Sequence, residues 1–558
     1  MQWEVINKKT PRDLAEMRKV WLENRELILP ERQKEFFERE EMGKISCEEI
    51  GLEREEIEKV RVRLLRARER KERVLIYGDY DVDGNCATAI TWLSLKKWGL
   101  ETIPFIPERK KHGYGLTMKS MKKIDELMEK GEKPDLIVTV DNGIVAFEAA
   151  EELKKRAIDL IITDHHKKDE KKGSPEAVAV VVSSKVCGAG VAWFLWREII
   201  EKEQAMAEML DLLGVATVAD QMEVLGINRQ LIKNGLYCLQ TKARLGIKKL
   251  AEQAGMDLTK ITKEGIDYGL GPRLNALGRL EGGLDTLRLL CTGNEKQAER
   301  LAGKIEAVNQ RRREMTEQMW KEAEEQAREQ MKQKRKVLIV ESKEWHEGIV
   351  GLLASRLVET FSRPALVMCV DEETTVVSAR SLGSIDITRL MRKAEKCMLS
   401  VGGHLLAGGG VMENTNREAF RKQIWEAAEK EITSEDLEAK LIIESEVPSS
   451  LLTDELVELL EDFAPFGQGN SEPLVMIKKM QLLAIDIIGK EENHWRTWWW
   501  DKKSQARIKI MAWQAEGKWE KGKWEEGGEY EIVIRPSINE WQDRKTLQLE
   551  LVEGREVC

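Results

Sequence analysis

The chain has 558 residues, enough for roughly three or four domains, and is 42% hydrophobic and 34% charged, as a globular protein with charged helices would be. Its net charge of −9 argues against a uniformly basic nucleic-acid binder but leaves room for a local basic groove, because phosphate affinity follows where charge sits. The start MQWEVINKKTPRDLAEM has no signal-peptide pattern, no apolar run nears membrane-spanning length, and eight scattered cysteines without a CxxC pair argue against a zinc module or disulfide framework and for a reducing cytosol.

Residues 1–73 are highly charged and expected to be helical, closing with KVRVRLLRARERKERV as a solvated face that leads into the first strand. Val74 to Tyr77 is an apolar, β-favouring run and predicts a short buried strand. Three carboxylates follow at alternate positions, Asp79, Asp81 and Asp83; Gly84 allows a turn, and Asn85 to Lys97 reads as a helix. Two unit charges about 4 Å apart cost roughly 4 kcal/mol at an effective dielectric of about 20. A divalent cation relieves that repulsion, and an oxygen-rich site suits Mg²⁺, Mn²⁺ or Ca²⁺. Asp-x-Asp-x-Asp-Gly also opens an EF-hand loop, but the twelfth position from Asp79 is Ile90 rather than Glu, and a strand precedes the loop where a helix should. A solvated acidic turn is the plainer alternative for this stretch taken alone.

Further strands are expected at 102–106, 135–140, 158–163 and 177–182 with helices between them, the pattern of a parallel α/β sheet. Ligands of such sheets bind at the carboxyl ends of the strands. There, DLIVTV runs into Asp141-Asn142-Gly143, IDLIIT runs into Asp164-His165-His166, and helical AMAEMLDLLGVATVAD ends at Asp220. These carboxylates and imidazoles suit two divalent ions. A lone Asp at a strand end is more often a helix N-cap; that alternative has to account for every one of these positions at once.

Residues 294–333 contain no Pro and one Gly, and their charge pattern predicts one long helix bridging two domains, with a coiled-coil arm as the weaker alternative. Residues 335–432 start a second α/β pattern, in which glycines at 402, 403, 408, 409 and 410 leave backbone N–H groups able to cradle a phosphate. Residues 438–555 alternate short strands with turns, as a small barrel does. Trp495, Trp498 to Trp500, Trp513 and Trp541 could stack bases there beside Arg496, Lys502, Lys503 and Arg507, while core packing is expected to take about half of these tryptophans.

GDYDVDG, VDNG, TDHH and VAD, in this order, resemble the four motifs of the DHH phosphoesterase superfamily. GAGVAW (188–193), GPRLNALGR (271–279), WHEGIVGLLASRL (345–357), SARS (378–381), GGHLLAGG (402–409) and APFGQGNSEPL (464–474) extend the resemblance to the RecJ-type single-strand DNA exonucleases. The resemblance covers residues 70–555. It implies an α/β protein: a helical N-terminal segment (1–73), a parallel-sheet DHH catalytic domain (74–293), a long connecting helix (294–334), a DHH-associated α/β domain (335–437) and an OB-like β-barrel (438–558).

The resemblance further implies a two-metal phosphodiesterase using two Mn²⁺ or Mg²⁺ ions. Asp79, Asp81 and Asp83 would divide between the ions, with Asp141 shared and His165 and Asp220 completing the ligands. Asp164 would orient the histidine pair, and His166 is assigned to the scissile phosphate rather than to metal. Arg273, Asn275, Arg279, Ser355, Arg356, Arg380, Gly402, Gly403 and His404 are the implied nucleic-acid contacts. The implied activity is processive 5′→3′ removal of mononucleotides from single-stranded DNA in recombination and repair, by a cytoplasmic monomer. Single-strand-binding protein and a helicase are the partners expected of the family.

Two departures stand out. The stretch AVAVVVSSKVCGAGVAW is abrupt where family members carry a longer, Pro-containing loop, and Gly408 stands where they tend to carry Ala. A superfamily phosphodiesterase acting on short oligonucleotides or small nucleotides is the alternative, but it has no need of a C-terminal barrel. A non-catalytic scaffold would be marked by lost metal ligands, and every expected acid and histidine is present.

Overall fold

A computed structural model describes residues 2–557 except 114, 170, 201–205, 490, 491, 516–523, 542 and 543. The chain forms two compact units: Cys47–Asp220 with Cys238–Ala439, and Met1–Ser46 with Gln221–Tyr237 and Lys440–Cys558.

The first unit is built on a five-stranded parallel sheet in the order Thr102–Phe105, Val74–Tyr77, Leu136–Val140, Asp159–Asp164, Ala179–Val182. Val74–Tyr77 and Leu136–Val140 are buried along their whole length, as continuous apolar runs in a sheet covered by helices on both faces must be. From Val74–Tyr77 the chain goes first to the strand on one side and then crosses to the strand on the other. That reversal makes a crevice at the carboxyl ends of Val74–Tyr77 and Leu136–Val140, the position where open α/β sheets bind ligands.

The long helix runs unbroken over Glu295–Lys332, 38 residues, its N-terminus capped by the Asn294 side chain accepting from Gln297 N at 3.0 Å. It is no free arm. Its first turns bury Ala298, Leu301, Ala302 and Ile305 on the side of helices Leu245–Gln253 and Gly271–Leu280, and its last turns pack Met319, Trp320, Ala323 and Ala327 against Leu338, Val340 and Leu353. The second sheet of this unit has the order Ser400–Gly403, Ala407–Glu413, Thr374–Arg380, Ala365–Val370, Leu338–Ser342 and is antiparallel except at its last pair.

In the second unit seven strands run in the order Gln2–Asn7, Lys440–Glu446, Val475–Ile488, His494–Asp501, Ala506–Ala512, Arg544–Glu556, Glu529–Trp541, and a further pairing of Val475–Ile488 with Glu529–Trp541 closes a five-stranded barrel. Residues 1–73 are therefore not one helical segment. QWEVIN alternates half-buried Trp3, Val5 and Asn7 with exposed neighbours, a period of two that suits a strand, and it pairs in parallel with Lys440–Glu446. Helices Leu14–Asn24 and Pro30–Phe37 bring Met17, Trp21 and Phe36 into the barrel core, where Trp21 and Phe463 meet edge to face at 5.4 Å. Arg229, 1% exposed, ties the three segments together by donating to the carbonyls of Phe36, Phe463, Ala464 and Pro465. Asn470 adds bonds to the Phe463 and Pro465 carbonyls, both at 2.9 Å, which gives the APFGQGNSEP stretch a structural role.

Among the tryptophans, Trp495 and Trp499 lie in the barrel core. Trp498 faces outward, covered by Arg507 at 4.2 Å and donating to Asp486 at 3.0 Å, which also accepts from Arg496. The side chain of Trp541 lies outside the described residues. Among the described residues no disulfide forms; seven cysteines are free.

Candidate metal centre and phosphate site

Two strand ends and one helix start set the acids. Asp79 follows Val74–Tyr77 after one glycine, and Asp81 caps the helix Val82–Lys97, its Oδ1 accepting from Gly84 N at 2.9 Å. That helix begins three residues before the expected Asn85, so Gly84 is helical rather than a turn. Its role is close approach: a Cβ there would lie 2.6 Å from Asp79 Cβ and 2.7 Å from the Asp79 carbonyl oxygen. Asp83, in the first turn, accepts from Gly188 N at 2.6 Å and Ala189 N at 2.8 Å, the first two amides of helix Gly188–Ile200. The short connection before Gly188 thus delivers a helix N-terminus directly to Asp83.

Asp141 sits at φ 62°, a left-handed conformation uncommon outside glycine but more accessible to Asp and Asn than to other residues. Asp164 accepts from Ile144 N at 2.9 Å, His165 N at 2.7 Å, His166 N at 3.1 Å and His166 Nδ1 at 2.7 Å. Of the two imidazole rings it bonds that of His166; His165 is held through its backbone N–H. Asp220 ends the helix Leu210–Ala219.

Three overlapping groups result: Asp79, Asp81 and Asp141; Asp83, His165 and Asp220; Asp141, His165 and His166. Within each group one possible ligand atom per residue lies within 4.8 Å of the others. Asp141 and His165 each belong to two groups. His165 Nε2 is 3.1 Å from Asp141 Oδ1 and 3.9 Å from Asp83 Oδ2, and its Nδ1 is 3.7 Å from Asp220 Oδ2. Asp79 Oδ1 and Asp141 Oδ1 are buried without a hydrogen-bond partner, and among the described residues no Lys or Arg pairs with any of these five acids. Buried carboxylate oxygens without donors, around a histidine that burial keeps neutral, fit hard divalent cations.

Burial first, and neighbouring carboxylates next, raise Asp79 and Asp141 well above the ordinary range and Asp220 to about 8. Asp164 goes the other way: burial pushes it up, but the bond to His166, the charge of that ring and the backbone amides of Ile144 and His166 together outweigh burial. His166 rises to about 9, because against its burial stand that same bond and the charges of Asp164, Asp220 and Asp79 together. In metal-free protein Asp79, Asp141 and Asp220 keep protons that the unfolded chain has already released, so folding stability present at low pH is lost as pH rises through their folded values. Chelated protein should therefore melt lower at about pH 8 than at about pH 6, and Mn²⁺ should raise the melting temperature more at the higher pH, where its ligands are deprotonated. Scanning fluorimetry with EDTA or Mn²⁺ checks this; chelated protein that melts higher at pH 8 would contradict it.

The expected phosphate contacts separate into two sets. Arg273 is buried, bonded to Glu306 of the long helix and donating to the Gly269 carbonyl, so it fastens two helices rather than facing a ligand. Arg356 pairs with Glu317 at 2.6 Å and lies over Trp320 at 4.2 Å, again on the long helix. Asn275 Oδ1 accepts from Val82 N at 3.1 Å and so holds the start of the acid-bearing helix. Ser355 donates to Gly351 O at 3.3 Å within its own helix. Gly408 to Gly410 lie in a strand paired on both sides, which leaves no open cradle there; Gly402, Gly403 and His404 are exposed at the sheet edge.

Arg279 and Arg380 remain. Arg279 is half-buried and donates to Gly348 O at 3.3 Å; burial and the like charge of Arg312 bring it down to about 10. Burial and Arg109 lower Arg380. Arg109, which no motif singled out, also acts on Arg279 and lies 6.0 Å from the Tyr80 ring, between the first two acids in sequence. Among the described residues none of these four arginines has an acidic partner, in a chain with more acids than bases. Its place just past strand Thr102–Phe105, at the same sheet edge, is the signal that could have found Arg109.

The single-stranded-DNA-specific exonuclease RecJ of Dickeya dadantii is 32% identical over 451 residues, covering 75% of this chain and 77% of that one. The Escherichia coli K12 protein of the same name is 31% identical over 433 residues, 72% of this chain and 74% of its own. The Bacillus subtilis RecJ is 31% identical over 507 residues, 88% of this chain, and this chain spans only 62% of its length. In structure the chain resembles RecJ of Thermus thermophilus in complex with Mn²⁺, with TM-score 0.81, 26% identity, 99% of this chain and 79% of that one. An exonuclease RecJ bound to manganese matches with TM-score 0.56 and 31% identity over 68% of this chain and 97% of that one. The DHH family N-terminal domain matches residues 73–217 and the DHHA1 domain residues 334–430. Fold and acid cluster together are those of a DHH phosphoesterase. With the RecJ OB domain matching residues 443–553, the chain belongs to the RecJ family.

Proposed function

We propose that this chain is a two-metal phosphodiesterase that degrades single-stranded DNA 5′→3′ to mononucleotides, in recombination and repair. The observation that carries the reading is the convergence of carboxylates without Lys or Arg partners, and of two histidines, at one sheet edge, with arginines that pair with no acid among the described residues acting on them. In this reading Asp79, Asp81, Asp83, Asp141, His165 and Asp220 hold two Mn²⁺ or Mg²⁺ ions. Bound there, the ions would activate a water for attack on phosphorus and stabilise the leaving oxygen.

The remaining work falls to the chain. Asp164 holds His166 in its charged form, as the scissile phosphate requires of a neighbour. Arg279, Arg380 and Arg109 take phosphate oxygens in the bidentate geometry that guanidinium favours, and Gly402, Gly403 and His404 line the same approach. Asp83 is held by two amides, which keeps its carboxylate fixed. The domain divisions at 74–293, 294–334, 335–437 and 438–558 follow this assignment of roles. A cytoplasmic monomer acting with single-strand-binding protein and a helicase is the setting the family resemblance supports; among the described residues no helix is long and apolar enough to cross a membrane.

Internally labelled single-stranded DNA, blocked at either its 5′ or its 3′ end and incubated with Mn²⁺ with or without chelator, tests the proposal. Mononucleotide release stopped only by the 5′ block and the chelator is expected. Survival of long DNA with cleavage of dinucleotides would transfer the site to the small-nucleotide phosphodiesterases.

A further inference from the structure

The GGHLLAGG stretch contains something that phosphate binding does not use. It is a hairpin between Ser400–Gly403 and Ala407–Glu413, with Gly402 opposite Gly409 and Gly403 opposite Gly408, and its tip is His404-Leu405-Leu406. Leu405 is 49% exposed and Leu406 42%. Two adjacent leucines at a turn are costly to leave in water unless something covers them.

The tip is held firmly. His404 N donates to Ala407 O at 2.7 Å, Ile387 N to Leu405 O at 3.0 Å, Ser381 N to Leu406 O at 2.9 Å, and Thr388 Oγ1 to His404 O at 2.8 Å. Every carbonyl of the tip is therefore taken, and the leucine side chains are presented on a fixed backbone. Gly403, at φ 144°, has room for no side chain, since a Cβ would lie 2.5 Å from Gly408 Cα. The conformation is built in rather than adopted in passing.

The tip also stands at the catalytic cluster. The strand beside it packs toward the acids: a Cβ at Gly351 would lie 3.4 Å from Arg380 Nη2, one at Gly348 2.0 Å from the Arg279 carbonyl oxygen, and one at Gly278 2.2 Å from the carbonyl oxygen of Tyr80, between Asp79 and Asp81. Ala407, at the foot of the tip, is opposite Arg380 in the adjoining strand. The loop after Asp141 also carries an exposed apolar side chain: Val145, 61% exposed, follows Ile144, whose N–H bonds Asp164. In a site otherwise made of carboxylates, imidazoles and guanidiniums, apolar surface has no use for phosphate. It fits the one apolar part of a polynucleotide, the face of a base, and contact with that face is indifferent to sequence.

Resting on the exonuclease reading above, we infer that Leu405 and Leu406 are specificity-determining residues that pack on a nucleobase next to the scissile phosphate, so that the enzyme recognises an unstacked base as well as the backbone. A base paired and stacked in a duplex offers no such face, which would give single-strand preference a cause local to this tip.

The test compares wild type with L405S/L406S on two Mn²⁺-supplied strands, one ordinary and one carrying abasic sites over its 5′-terminal nucleotides. Wild type should digest the ordinary strand with a KM about tenfold below that for the abasic strand, the effect expected from burying one or two apolar side chains. The double variant should rise to the abasic KM on the ordinary strand, with no further change on the abasic one, and L405M/L406M should restore the difference. Equal loss on both strands, or no difference between strands in wild type, overturns the base contact while leaving the exonuclease reading intact. If wild type digests neither strand, the exonuclease reading falls and the base contact with it.

Discussion

Asp141→Asn should abolish hydrolysis, with kcat falling more than about a thousandfold, because in the proposed reading Asp141 is a shared metal ligand and would underlie several kcal/mol of transition-state stabilisation. The choice of Asn matters. Asp141 occupies the left-handed region, which Asn adopts more readily than Ala, so backbone strain confounds the result least with Asn. The substitution keeps the shape and removes a group that burial and four neighbouring aspartates force to hold a proton in the folded, metal-free protein. The chelated variant should consequently be more stable than chelated wild type at neutral pH, while gaining less from Mn²⁺. Strand binding, measured by fluorescence anisotropy in chelator, should persist through Arg279 and Arg380. A variant with normal turnover would remove Asp141 from the metal centre, and one that merely unfolds would show that its charge is structural.

Gly188→Ala should cost about a hundredfold in kcat, the scale on which misplacing a reacting group by an ångström acts. A Cβ at Gly188 would lie 2.5 Å from Asp141 Oδ1, closer than real atoms approach. Either Asp141 moves or the start of helix Gly188–Ile200 does, and that start supplies the two amides that hold Asp83. One methyl group thus disturbs ligands from both strand ends. Gly303→Ala is the control: its Cβ meets nothing within 4 Å in the long helix, and alanine should add up to about 1 kcal/mol of stability there without changing kcat. Retained activity in Gly188→Ala would show that the site has slack the geometry does not suggest.

The parts of this chain legible in its sequence are those where one local signal sufficed. Buried strands such as Leu136–Val140 are continuous apolar runs, and the acids at their ends follow from strand order alone. Facing direction was harder to read. Arg273 and Arg356 stand in the same motifs as other expected phosphate contacts, but their partners Glu306 and Glu317 lie on another helix, and nothing local announces that pairing. The barrel tryptophans were sortable by parity. Trp495, Thr497 and Trp499 point inward along His494–Asp501, whereas Trp498 and Trp500 point outward. The strand Gln2–Asn7 escaped because its six residues precede a long charged stretch, and its partner lies at Lys440–Glu446.

That last pairing bears on how the protein is made. A ribosome delivers Gln2–Asn7 and the apolar faces of Leu14–Asn24 and Pro30–Phe37 long before the strands that cover them exist. The barrel unit also waits for Arg229, which arrives midway and joins the early helices to the late Phe463–Pro465 carbonyls. Contacts so distant along the chain form late and slowly, and apolar surface left open meanwhile is prone to aggregate. The catalytic unit, complete by Ala439, can mature first. The newborn chain thus holds Gln2–Asn7 and those two helices unpaired until Lys440–Glu446 and the barrel strands arrive.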